Sequence, residues 1–100
     1  MYIWIVINNQ KTKAMKIFFV YHRAGYDLLY ALRNGQITKS YNEALKELTN
    51  DYKSSNPSAK FMPDTEIFIY KIEVAGNNIT VNNGDYELDN EERWALKDIK

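Results

Sequence analysis

Cysteine is absent from the 100 residues, which excludes a disulfide framework, a thiolate metal site and a cysteine nucleophile. Histidine occurs once, at His22, and one imidazole without thiolates is too small a ligand set for the usual zinc site. Glycine and proline are scarce, at four and two residues. The glycines stand singly, each suited to a turn, so no phosphate-cradling glycine loop is present. No apolar run exceeds the five residues 3–7, against roughly 20 for a membrane-spanning helix. That run has no basic segment before it and ends at Asn8-Asn9-Gln10, so it does not read as a signal peptide. The glycosylation pattern Asn78-Ile79-Thr80 is then a chance match. The expectation is a cytoplasmic protein with no membrane attachment.

Net charge is missing as well, because 13 basic residues balance 13 acidic ones. Bulk charge therefore gives no argument for nucleic acid or for a lipid surface. The distribution is uneven. Residues 1–50 carry seven Lys/Arg and three Asp/Glu, whereas residues 51–100 carry six and ten, so the halves hold +4 and −4. What is plentiful is Phe, Tyr, Met, Ile, Asn and Lys, 46 residues together. These have AT-rich codons, which points to an AT-rich gene such as that of a low-GC bacterium, or of a phage or mobile element living in one.

The length suits one domain, residues 1–100, burying roughly two-thirds of its unfolded surface. Residues 2–7 (YIWIVI) are β-branched or aromatic and read as a strand; residues 15–22 (MKIFFVYH) read as a second, forming a hairpin with it. Residues 24–35 carry two signals. Leu28, Leu29, Ala31 and Leu32 with Asp27 as cap suggest a short helix, while Asn34-Gly35 is a strong hairpin turn; the helix is favoured. Ser40 and Glu43 form a capping-box pattern, and Tyr41, Ala44, Leu45, Leu48 and Tyr52 line one helical face. A loop follows from Lys53, and residues 65–74 alternate as a third strand. A short strand at residues 79–81 and a final helix opened by Asp89 and Glu92 complete the chain. The predicted class is α+β, a two-layer, mostly antiparallel sheet with two or three short helices, in the order β-β-(α)-α-β-β-α.

Both faces of the first hairpin are apolar, so both need cover. The final helix is expected to close the second face through Trp94. If it does not, Tyr2, Trp4 and Phe18 form an exposed aromatic patch suited to a protein partner. His22, beside Arg23 at a strand end, reads as a surface or capping residue, since no local carboxylate or nucleophile accompanies it. The acidic stretch from Asp85 to Glu92 fails the calcium-loop template, because Gly84 at its sixth position would put Ile79 at its first. Acids in the first turn of a helix account for Glu91 and Glu92.

These readings converge on a small, non-enzymatic protein-binding module without cofactor or metal. Its size and coding bias suit an accessory or inhibitor protein of a phage or mobile element, acting on a host protein. The alternative is a nucleic-acid-binding domain built on the basic aromatic stretch 11–39. There Lys11, Lys13, Lys16 and Arg23 would meet phosphates while aromatics stack on bases. The glycine of the sheet-based RNA-binding motif is missing from residues 16–20, however. Homodimerisation is compatible with either reading.

Overall fold

The computed structural model describes residues 15–99; the expected strand at residues 2–7, with its hairpin, lies outside them. The described chain is α+β. It runs β1 (Lys16–His22), α1 (Leu28–Arg33), β2 (Ile37–Thr38), α2 (Tyr41–Ser55), β3 (Phe68–Ala75), β4 (Asn78–Val81) and α3 (Asn90–Lys97). Single 3₁₀ turns at Asp64–Glu66 and Asn82–Gly84 precede β3 and follow β4. All strand pairs are antiparallel, in the order β2-β1-β3-β4.

Side chains opposed across an antiparallel ladder share a face. The β1–β3 register opposes Phe18 to Ile72, Val20 to Tyr70 and His22 to Phe68. With Ile37, Ile79 and Val81 these make the first face, and Leu28, Ala31 and Leu32 of α1 with Leu88 and Leu96 pack on it. The second face carries Ile17, Phe19 and Tyr21. Here α2 is the cover: Ala44 and Leu48 are fully buried, and Tyr41 meets Phe19 edge to face at 6.5 Å. Helices thus lie on both faces, and α2 adds a layer to the two expected.

This overturns the role expected of Trp94. The inward positions of α3 are Glu92 and Leu96, spaced i and i+4, with Ile99 just beyond the helix also against the core, and a residue two along from Glu92 points the other way. Trp94 is accordingly 64% exposed. The longer apolar stripe of α2 closes the second face in its place.

Local chemistry sets the element ends. Asp27 caps α1 by accepting from the Tyr30 amide at 2.8 Å. Asn34-Gly35 then ends the helix and also turns the chain, with Gly35 at φ 68°, into β2. The helical signal operates and the hairpin alternative does not form: residues 30–32 are helical, and Ile37–Thr38 pairs with β1 instead. At α2 the capping box is half formed. Ser40 accepts from the Glu43 amide at 3.1 Å, but Glu43 accepts from Lys39 rather than Ser40, at 3.2 Å. The helix continues to Ser55, three residues into the expected loop, and stops where Asn56 precedes Pro57, a position that disfavours helical backbone. β3 begins later than expected, at Phe68, because Asp64–Glu66 forms a 3₁₀ turn behind Pro63. Beyond β4, Asn82 Oδ1 accepts from the Lys71 amide at 2.9 Å, so a side chain extends the ladder where the backbone has left it.

If α2 supplies the second core, Leu48→Ala destabilises the chain about as much as Ile72→Ala, each by roughly 2–4 kcal/mol. Trp94→Ala changes stability by less than about 0.5 kcal/mol. Urea unfolding of the three variants checks this; a large loss only for Trp94→Ala would contradict the arrangement.

Candidate functional site

Of the residues singled out from sequence, Lys16, Phe18 and Arg23 are among those described. Tyr2, Trp4, Lys11 and Lys13 lie outside the described residues. Lys16 and Arg23 stand at opposite ends of β1, roughly 23 Å apart at strand rise. Arg23 is also engaged. Its Nε donates to Glu66 at 3.3 Å, a terminal nitrogen lies 3.6 Å from Asp51, and its guanidinium sits 5.2 Å from the centre of the Tyr52 ring. Phe18 is half-buried against the core of the first face, while its outer side lines a groove.

That groove exists because β2 is short. The Tyr21 amide donates to Gln36 O at 3.1 Å, and Phe19 stands opposite Thr38, where β2 ends. Ile17 comes next in the same register, and among the described residues no strand faces it on that side. Ile17, Phe18, Ile37 and Ile99 line the resulting groove, with Lys16 and Lys39 at its rim. Ile17 is 44% exposed. Ile99 also lines a second groove, between α1 and α3, whose wall is Trp94 and whose rim is the Arg33–Glu91 ion pair at 3.4 Å. Ile99 lines both grooves, so a seam of apolar side chains runs through it from Ile17 to Trp94.

A polar network lies under the first face. His22, expected at the surface, is 2% exposed, because α1 and β3 close over that end of the sheet. Its ring stacks on Phe68 at 4.9 Å, with planes 10° apart. Nδ1 lies 2.7 Å from the Arg23 carbonyl. A carbonyl only accepts, so Nδ1 carries the proton and donates to it, while Nε2 lies 2.9 Å from the Tyr70 hydroxyl. The Tyr70 ring meets Tyr86 edge to face at 5.4 Å, and the Tyr86 hydroxyl donates to Glu92 at 2.7 Å. Glu92 is 5% exposed and completes the capping box of α3, accepting from the Asp89 amide at 3.0 Å while its own amide donates to Asp89 at 2.8 Å. An imidazole, two phenols and a carboxylate are assembled here, but His22 and Glu92 are closed to solutes.

The acidic stretch is mostly employed in structure. Asp89 and Glu92 cap α3, and Glu91 pairs with Arg33. Among the described residues no three His, Asp or Glu side chains gather as metal ligands, and no helix is long and apolar enough to cross a membrane. Two signals for the seam were available or missing in the sequence. The outward position of Trp94 follows from the Glu92, Leu96, Ile99 spacing, whereas a two-residue strand leaves no periodicity to find. Compared with known proteins, the chain matches no family model, and no curated protein or solved structure is similar to it.

Burial first, then the hydrogen bond to Glu92 and its charge, push the Tyr86 hydroxyl well above its ordinary value of 10.0; burial first and then Glu92 raise Tyr70 as well. A raised folded-state value means that the folded chain holds the proton more tightly. The stability this contributes is complete below pH 10 and is lost as pH climbs from there towards the folded value. Unfolding free energy should therefore fall above about pH 10, and Tyr86→Phe should flatten that fall. An unchanged alkaline slope in Tyr86→Phe would remove the network from the account.

Proposed function

We propose that this chain is a small protein-binding module whose contact surface is the apolar seam from Ile17 to Trp94. The observation that carries the reading is Trp94, 64% exposed at the wall of a groove and flanked by the Arg33–Glu91 pair. An indole left in water at a groove wall, with charged residues at the rim, is the composition of an interface hot spot. The seam adds apolar area to it, as docking surfaces do. Among the described residues no strand faces Ile17 on the β2 side, and a partner strand that extends the sheet there would be a further mode of attachment. An accessory or inhibitor role towards a host protein, in a phage or mobile element, belongs to the same reading and rests on small size and AT-rich coding.

A nucleic-acid role would draw on Lys11, Lys13, Lys16 and Arg23, and of these Arg23 is already paired within the chain. It predicts binding that falls steeply with salt and disappears after nuclease treatment.

Affinity capture from a low-GC bacterial lysate, with nuclease and at high salt, tests the reading. Wild type and the off-seam control Phe61→Ala should recover the same stoichiometric protein. Trp94→Ala should weaken that complex by about 30-fold or more, the size of a hot-spot loss, with its melting temperature unchanged. Undiminished affinity in Trp94→Ala would dismiss the seam as the contact surface.

A further inference from the structure

A separate cleft of about 610 Å³ lies between α1 and α2, and it shares no lining residue with the seam. Tyr21 of β1 is one lining residue. Tyr26, just before α1, and Tyr30, in its first turn, stack on each other at 4.5 Å with planes 30° apart, and are 52% and 41% exposed. Glu47 and Asp51 line it from α2, one helical turn apart. The cleft thus joins aromatic faces to carboxylates.

Two carboxylates and one guanidinium line it. The Tyr21 hydroxyl is raised above its ordinary value by burial first, then by Glu47 and by Asp51. Arg23 is the one cationic side chain in the lining, and Glu66, Asp51 and the Tyr52 ring already hold it. Among the described residues Glu47 takes part in no ion pair. Such a lining repels phosphate. It attracts a cation twice over, through the carboxylates and through the electron-rich ring faces. The Arg23–Tyr52 contact is the same chemistry satisfied within the chain.

We infer that this cleft binds an organic cation, a guanidinium or alkylammonium group lying against Tyr26 and Tyr30 and paired with Glu47. The group belongs either to a free amine or to a basic side chain of a polypeptide. The inference stands independently of the Trp94 reading, since the two surfaces have no residue in common.

Titration of the whole ¹⁵N-labelled chain with agmatine, with a capped glycine-arginine-glycine peptide and with inorganic phosphate tests it by amide shifts. Agmatine and the peptide should give saturable shifts at Tyr21, Tyr26, Tyr30 and Glu47, and phosphate none. Affinity should fall by about fivefold in Glu47→Gln and in Tyr30→Leu, with the spectrum elsewhere unchanged to show an intact fold. Tighter binding of the peptide supports the site with a basic side chain as ligand; equal binding supports it with a free amine. Absence of saturation by roughly 10 mM ligand, shifts centred elsewhere, or equal affinity in Glu47→Gln overturns the inference.

Discussion

The β1–β3 ladder pairs every residue of β1, from Lys16 opposite Val74 to His22 opposite Phe68, and the rest of the fold takes its bearings from that register. Side-chain period in a strand is two, so a slip of one residue would exchange Phe18, Val20 and His22 with Ile17, Phe19 and Tyr21. In a sheet with one wet face such a slip costs burial on one side. Here it fails on both. The fully buried Ala44 and Leu48 of α2 cover the face of Ile17, Phe19 and Tyr21, and the first face holds the only place where His22 meets Tyr70. Two different linings, one apolar and one partly polar, hold a single register.

The elements legible in sequence were those whose signals are local. Asp27, Ser40 and Asp89 each stand where a helix begins, and the alternation through Phe68, Tyr70, Ile72 and Val74 is the inner face of β3. What could not be read was assignment of helices to faces. An apolar stripe states that a helix must be buried but not against which surface, so α2 and α3 could be exchanged on paper. Length decides it in the fold: the 15 residues of α2 reach across β2, β1 and β3, and the 8 of α3 pair with the short α1.

The candidate surfaces were legible in the same uneven way. Phe18 and Lys16 do line the seam, but its most exposed aromatic, Trp94, had been given to the core. Tyr26, Tyr30 and Arg23 look basic and aromatic in a row of letters. Folding brings the α2 carboxylates Glu47 and Asp51 to them from more than 15 positions away, which places acid beside the aromatics. His22 shows the same limit. Its burial depends on Tyr70, 48 residues distant, and nothing adjacent to it announces a partner.

The brevity of β2 has a consequence for how the protein behaves in concentrated solution. Among the described residues part of the β1 backbone has no strand beside it next to apolar side chains, and such an edge is a template on which further copies can add. Lys16 and Lys39 stand at the rim of this opening and present like charges to any second copy approaching there. That protection is electrostatic, and its range shrinks to about 10 Å at 0.1 M salt and about 3 Å at 1 M. Ionic strength therefore sets the reach of that repulsion between copies.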